Sequence, residues 1–252
     1  MYNPLDLSGK LVLITGASSG IGRATAVVLS RMGARLILAG RRMDALEETL
    51  AATTNCSNHI CSTYDLTDLD GIPKWVAEIV GSASAQLDGA VHTAGLSAIV
   101  PLRAVSGNNI DKLMISNVSA VLMLLRGVTA KLVAAPAGMS IVLVSSVAAI
   151  VPSPGLITYS ATKSAINAIA RSAAKELAVK GIRVNSIIPG YVRTPMLTHF
   201  ADEITNFEQI ERQQFLGMIE PEEIGVMAAY LLSGSARSIT GSQFVMDGGF
   251  TL

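Results

Sequence analysis

The chain has 252 residues and a formal net charge of zero, with 50% apolar residues, 15% charged residues and a mean hydropathy of +0.48. This composition is too apolar for a disordered chain, and it lacks the charge excess that would direct a protein to nucleic acid or to an anionic membrane. We expect one α/β domain over residues 1–252, because a chain of this length can bury a full core.

Short β-branched and leucine-rich runs alternate with helical patterns along the whole chain, which is typical of repeated βαβ units. The predicted strands are Leu11–Thr15, Arg35–Ala39, His59–Tyr64, Gly89–Thr93, Ser140–Ser145, Arg183–Ile188 and Gln243–Met246. The predicted helices are Ile21–Arg31, Met43–Ala52, Leu69–Val80, Asn108–Val133, Tyr159–Lys180 and Pro221–Leu232. The expected fold is a single doubly wound (Rossmann) sheet of seven parallel strands with helices on both faces.

A glycine-rich turn joins the first predicted strand directly to the first helix. Glycines in this position permit a tight turn and close approach of the backbone, and the helix N-terminus offers unpaired N–H groups to a pyrophosphate. The alternative is a flexible Gly/Ser loop. The predicted nucleotide-binding residues here are Gly16, Ser18, Ser19, Gly20, Ile21 and Gly22.

The end of the second strand predicts which dinucleotide binds. A site for NAD normally places a carboxylate about twenty residues beyond the glycine turn, where it accepts bonds from the ribose hydroxyls and repels a 2′-phosphate. Gly40 stands there instead, and Arg41 follows, with Arg42 as a possible second contact to the phosphate. We therefore expect NADP(H), unless both arginines only begin a solvated helix.

Two hydroxyl residues and a lysine lie near the fifth strand and on the helix after it. Tyr159 and Lys163 are four residues apart, so they share one helix face. Lowering a phenol pKa of about 10 by about three units requires roughly 4 kcal/mol, which one cation about 4 Å away supplies at an effective dielectric near 20. Tyr159 would then be an acid/base group near neutral pH, and Ser146, at the end of the strand, could bond the substrate oxygen. Ser145 points to the other face and is expected to be structural, and a chance surface pair is the alternative for Tyr159 and Lys163.

Taken together, the TGxxxGxG turn, the serine and the YxxxK pair resemble the short-chain dehydrogenase/reductase family over essentially the whole chain, in a pattern closest to its 3-oxoacyl-[acyl-carrier-protein] reductase-like members. The resemblance implies that Lys163 also binds the nicotinamide ribose and that Asn117 orders a water in a proton relay. It further implies cofactor contacts from Asp65, Leu66, Ala94, Gly95, Pro189, Gly190, Val192 and Thr194.

One position departs from the family's pattern. Where the family usually has Asn-Asn-Ala-Gly after the fourth strand, this chain has His92-Thr93-Ala94-Gly95. We expect His92 to be a hydrogen-bonded structural residue, although a catalytic base is the alternative. The small residues Ala94 and Gly95 still allow the cofactor to approach.

Two further segments predict a homo-oligomer and a lid over the substrate. The stretch from Ile110 to Leu132 is apolar on nearly every side, which suggests a homo-oligomer, and the resemblance implies a tetramer. Residues 194–217 depart from the βα rhythm and are interpreted as a lid over the substrate. Without a signal peptide, an apolar run of membrane-spanning length or a set of metal ligands, the chain is expected to be cytoplasmic and free of metal.

The predicted function is an NADP(H)-dependent oxidoreductase that interconverts a carbonyl and a secondary alcohol by hydride transfer, with a small-molecule substrate and neither nucleic acid nor membrane as partner. One alternative is a catalytically silent NADP(H)-binding regulatory or scaffold protein, because a fold does not dictate a function. A nucleotide-sugar epimerase or dehydratase is another, although such chains are generally longer. Apolar residues near the site argue against a very polar sugar as substrate.

Overall fold

Seven parallel strands lie at the centre of the computed structural model, which describes residues 3–198 and 212–252. The strands are β1 (Leu11–Thr15), β2 (Arg35–Gly40), β3 (Ile60–Thr63), β4 (Gly89–His92), β5 (Ser140–Val144), β6 (Arg183–Pro189) and β7 (Gln243–Met246). Their order across the sheet is β3-β2-β1-β4-β5-β6-β7, and every neighbouring pair is parallel. The order reverses between β1 and β4, so the predicted doubly wound sheet is confirmed.

Helices cover both faces of the sheet. The described α-helices are α1 (Gly20–Arg31), α2 (Met43–Ala52), α3 (Ile72–Ser82), α4 (Gly107–Met114), α5 (Ala120–Val128), α6 (Ile157–Leu177) and α7 (Pro221–Leu232). Leu11 and Leu13 of β1 belong to a core with α3, α5 and α6, while Val12 and Ile14 belong to a core with α1, α2 and α7. Side chains alternate along a strand, so a strand buried on both faces becomes apolar throughout, which is the pattern that the sequence shows.

The long helix predicted over Asn108–Val133 is confirmed from its start to Val128, but it ends earlier than predicted. A capping box between Ser106 and Asn109 begins α4 at Gly107, helical residues continue through a π-helical turn at Ile115–Ser119, and α5 ends at Val128. Beyond Val128 the chain turns, so that Ala134 bridges to Leu87 at the edge of the core. The apolar run therefore predicted the helix, but it did not show the π-helical turn or the early end.

Several other predicted bounds differ from the structure by one to three residues, as at α3, which begins at Ile72 instead of Leu69, and at α6, which ends at Leu177 instead of Lys180. β5 ends at Val144 instead of Ser145, because the Ser146 hydroxyl accepts a bond from the Ala148 N–H (3.2 Å) and begins a 3₁₀ turn. The predicted lid over 194–217 lies mostly outside the described residues, which stop at Thr198 and resume at Arg212. Within the described ranges, no helix has the length and apolarity needed to cross a membrane.

Candidate active site

A groove of about 390 Å³ runs along the carboxyl ends of the central strands. Such an edge, where the strand order reverses, is where ligands bind in open α/β sheets. Most of the predicted cofactor residues line it, namely Gly16, Ser18, Ser19, Gly20, Ile21, Gly22, Arg41, Asp65, Leu66, Ala94, Gly95, Tyr159, Lys163 and Thr194. Pro189, Gly190 and Val192 line a neighbouring cavity instead, and Arg42 and Asn117 line neither.

The glycine turn forms a cradle that side chains would fill. Gly16 has φ +74°, and a Cβ atom there would lie 2.7 Å from the Ala94 nitrogen. A Cβ atom at Gly22 would collide with the Gly16 carbonyl. Ser19, which precedes α1, has extended backbone, and its side chain does not cap the helix. The first N–H groups of α1 therefore face the groove without a side-chain acceptor, as a pyrophosphate site requires.

Arg23, which was not among the predicted residues, also contacts this glycine turn. The Arg23 guanidinium donates to the Ser18 carbonyl (2.8 Å) and forms an ion pair with Glu48 (2.8 Å) on α2. Arg23 directly follows Gly22, and that position was the signal available in the sequence. Its Nε and Nη2 atoms donate to protein acceptors, so this side chain can hold the turn in shape.

Arg41 and Arg42 are neighbours in the sequence, but only one of them lines the far end of the groove. Arg41 lines the groove, whereas Arg42 makes a 3.9 Å ion pair with Asp44 on the exposed start of α2. Asp65 accepts bonds from the backbone and hydroxyl of Thr67, which lower the pKa of its carboxyl, and the charge of Arg41 lowers it further. Arg41 is therefore the predicted phosphate contact that the fold brings to the groove.

An aromatic pair closes that end of the groove and was also missed. Tyr64 and Trp75 stack with ring centroids 4.6 Å apart, and both line the groove. The Trp75 indole N–H donates to the Ser62 hydroxyl (3.0 Å), which fixes the ring. A flat heteroaromatic base could pack against such a rigid apolar edge.

The predicted catalytic pair meets at the inner end of the groove. The Lys163 ammonium lies 5.7 Å from the centre of the Tyr159 ring and donates to the Val144 carbonyl (3.0 Å). Burial raises the pKa of Tyr159 to about 12, against a hydrogen bond with Ser146 that lowers it, and burial lowers the pKa of Lys163 to about 8. The expected lowering of the Tyr159 pKa toward neutrality is not found, because desolvation of the phenolate outweighs the hydrogen bond with Ser146.

Asn117 connects the elements around this pair. Its amide oxygen accepts from the Leu96 N–H (2.8 Å), and its NH₂ group donates to the Leu96 carbonyl (2.8 Å) and to the Thr162 hydroxyl (3.1 Å). A Cβ atom at Gly95 would lie 3.3 Å from the Asn117 amide oxygen and 3.6 Å from the Lys163 ammonium. The buried Asn117 side chain thus positions the segment after β4 against α6.

His92 lies inside the sheet and lines neither cavity. It is 2% exposed, and its Nδ1 shares a 2.7 Å hydrogen bond with the Thr15 hydroxyl on β1. Burial, helped by the positive charge of Lys163, lowers the pKa of His92 to about 3. The imidazole is therefore neutral and hydrogen bonded, as expected for a structural residue in place of asparagine.

A second cavity of about 120 Å³ opens beside the first and shares Tyr159 with it. Ser146 lines this second cavity, and Ser145 lines both while its hydroxyl donates to the Lys163 carbonyl (2.9 Å). Phe250, from the C-terminal turn, also lines it, although no motif in the sequence pointed to that residue. Tyr159 thus lies between the groove and a smaller cavity that could hold a substrate, and Ser146 lies in the wall of that smaller cavity.

Comparison with known proteins gives a consistent result. The family model described as "Enoyl-(Acyl carrier protein) reductase" matches residues 16–251. A glucose 1-dehydrogenase of Gluconobacter oxydans is 33% identical over 97% of this chain and 93% of its own, and a cyclohexanol dehydrogenase of an Acinetobacter species is 31% identical over 97% and 96%. A structure from Agrobacterium tumefaciens with bound NADP superposes with a TM-score of 0.90, at 26% identity and 99% coverage of each chain.

Proposed function

The chain belongs to the short-chain dehydrogenase/reductase family, and from that premise we propose that it is an NADP(H)-dependent oxidoreductase that interconverts a ketone and a secondary alcohol. The observation that carries the proposal is the placement of Tyr159 where the two cavities meet, with Ser146 in the wall of the second cavity. A relative that acts on cyclohexanol, another that acts on glucose and a neighbour that binds NADP support the same class of reaction.

The residues of the groove fit a nicotinamide dinucleotide. The cradle at Gly16 and Gly22 and the N–H groups of α1 would hold its pyrophosphate, and Lys163 lies where the inner ribose would come. When bound, such a cofactor supplies or accepts the hydride. The chain itself has to orient the substrate oxygen and move one proton to or from it.

Tyr159 and Ser146 divide this work. A phenol with a pKa near 12 stays protonated over the working pH range, so Tyr159 can donate its proton to a carbonyl oxygen during reduction. The Ser146 hydroxyl can donate to the same oxygen as negative charge develops there. The Lys163 ammonium, 5.7 Å from the ring, stabilises the phenolate that the transfer leaves behind.

The preference for NADP(H) rests on the rim of the groove. Gly40 carries no carboxylate to bond a ribose or to repel a phosphate, and Arg41 lines the groove beside it. Arg41 can therefore pair with a 2′-phosphate through its planar fork. Arg42 contributes little in this proposal, because its guanidinium lies near Asp44 outside the groove.

A homo-oligomer is the second part of the proposal. Leu113, Val121 and Leu124 are buried in the monomer, but five large apolar side chains on the same stretch remain exposed, namely Ile110, Met114, Ile115, Leu122 and Leu132. Exposed apolar side chains in this number are what a contact with another copy of the chain would bury. A tetramer and a cytoplasmic location stay predictions from the sequence.

The decisive experiment follows NADPH oxidation with a panel of ketones, in the unmodified protein and in Tyr159→Phe. We expect turnover to fall about 10² to 10⁴-fold in the variant while NADPH affinity stays within about twofold, because only the transferable proton is lost. Tyr230→Phe, the same change outside both cavities, is the control. NADPH binding without turnover of any carbonyl or alcohol would instead support a regulatory or scaffold protein. A Tyr159→Phe variant that kept more than half of the activity would contradict the assigned role.

A further inference from the structure

The second cavity carries information about the substrate that no motif provides. We propose that it accepts a compact, uncharged cyclic ketone or secondary alcohol of about one six-membered ring, and that Phe250 sets the size limit. This inference rests on the function proposed above and deepens it. It follows from the volume of the cavity, from the uncharged character of the described residues that line it, and from the contacts that hold Phe250 in place.

The volume favours a single ring. The cavity measures about 120 Å³, which is close to the roughly 150 Å³ of an engineered apolar cavity that binds benzene. Its apolar walls come mainly from Val147, Val151, Leu156, Met196, Leu197 and Phe250. A ring of six carbons would fill this space and leave its oxygen at Tyr159, where the cavity meets the groove.

The walls disfavour a charged substrate. None of the described residues that line the cavity is charged, and its polar groups include the hydroxyls of Ser97, Ser153 and Thr194. Hydroxyls can bond a neutral oxygen, but they do not compensate the cost of transferring a carboxylate or phosphate out of water. Lys163, the cation nearest to the reacting oxygen, lines the groove and donates to the Val144 carbonyl.

Phe250 is held in a turn that a buried carboxylate organises. The Asp247 carboxylate is 8% exposed and accepts from the N–H groups of Gly249 (2.9 Å) and Thr251 (2.8 Å). The Phe250 N–H donates to the Asp247 carbonyl (3.1 Å). Burial alone would raise the pKa of Asp247, but the hydrogen bonds from Thr251 and Gly249 lower it overall. The ring is therefore part of a preformed wall.

Tyr191 supports the Phe250 ring from the side. The two rings meet edge to face, with centroids 5.5 Å apart and planes at 77°. The buried Gln214 amide accepts from the Tyr191 N–H (2.6 Å) and donates to the Tyr191 carbonyl (3.1 Å). A Cβ atom at the adjacent Gly190 would meet the same amide, so this backbone can approach Gln214 only as glycine. Moving the Phe250 ring away from a larger substrate would break its edge-to-face contact with Tyr191.

The test compares kcat/KM for cyclohexanone with kcat/KM for the two-ring ketone 1-decalone, with NADPH as reductant. In the unmodified protein we expect cyclohexanone to be preferred. Phe250→Ala should shift the ratio toward 1-decalone by roughly tenfold or more, because a single methylene changes discrimination by about 10- to 200-fold in an apolar pocket. Phe250→Trp should shift the ratio the other way. Leu252→Ala, in the same turn but fully exposed, should leave the ratio unchanged.

The outcomes separate the two proposals. If no ketone oxidises NADPH, the proposed function itself fails. If a charged keto acid or a 3-oxoacyl thioester is turned over more efficiently than cyclohexanone, the function stands and the substrate class is overturned. If both Phe250 variants keep the ratio within about twofold, Phe250 does not limit size. Unfolding midpoints identify a misfolded Phe250→Ala, in which case Phe250→Trp decides.

Discussion

Replacing His92 with asparagine should make the protein more resistant to mild acid. His92 is buried in β4, its Nδ1 shares a 2.7 Å bond with the Thr15 hydroxyl, and its pKa is lowered to about 3 by burial and by the charge of Lys163. Protonation of His92 at low pH would therefore place a positive charge in the buried core, away from water. Asparagine at this position has no proton to take up.

The magnitude follows from the two pKa values. The ordinary value is 6.5, so between pH 6.5 and about 3 the unfolded chain binds a proton that the folded protein does not. The stabilising effect is fully present above pH 6.5 and is lost as the pH falls toward 3, at a total cost of roughly 5 kcal/mol. By pH 5, about 2 kcal/mol of it is lost, which corresponds to a decrease in Tm of roughly 4–8 °C for a chain of this size.

The assay is thermal unfolding of the unmodified protein, His92→Asn and His59→Asn at pH 8 and pH 5. We expect the decrease in Tm between the two pH values to be about 4–8 °C smaller in His92→Asn than in the unmodified protein. His59→Asn is the control, because that imidazole is only partly buried and bonds to the Thr54 carbonyl. Burial lowers the pKa of His59 as well, so we expect its decrease in Tm to lie between those of the other two proteins. Comparing each protein with itself removes any uniform effect of the substitution on stability.

Equal decreases in Tm for His92→Asn and the unmodified protein would refute this reasoning. Such a result would mean that the folded protein binds the proton at His92 about as readily as the unfolded chain does. A decrease in Tm that is as small in His59→Asn as in His92→Asn would likewise show that burial is a poor guide to which imidazole senses acid.

Two other predictions concern the cofactor and the assembly. Arg41→Ala should raise the KM for NADPH roughly tenfold and spare that for NADH, while Arg42→Ala should change neither by more than about twofold, because only Arg41 lines the groove. Equal or better catalytic efficiency with NADH in the unmodified enzyme would overturn the preference, and Gly40→Asp should move the preference toward NADH by adding the missing carboxylate. Light scattering should show a homo-oligomer, with Leu122→Asp lowering the measured mass, whereas a particle of only 26.3 kDa in the unmodified protein would rule it out.

Much of the fold could be predicted because its signals are local. The bounds of β1, β7, α2 and α7 agree with those predicted, since each is a short periodic run closed by turn residues. The π-helical turn around Asn117 and the end of the helix at Val128 could not be predicted in this way. An apolar run does not reveal where a π-helical turn lies, and the Asn117 side chain in this turn contacts Leu96 and Thr162, which are far away along the chain.

The candidate site, too, could be predicted from the sequence only in part. The sequence by itself determined which residues could bind a dinucleotide and move a proton, because the glycine turn, Ser146 and the pair Tyr159 and Lys163 are defined by spacing within single elements. Only the tertiary structure decided their environment. The pKa of Tyr159 is raised because burial removes water, and Phe250 reaches the second cavity because the last turn of the chain folds back over Tyr191. Desolvation and long-range packing depend on every neighbour of a group in space, whereas a motif records only its neighbours along the chain.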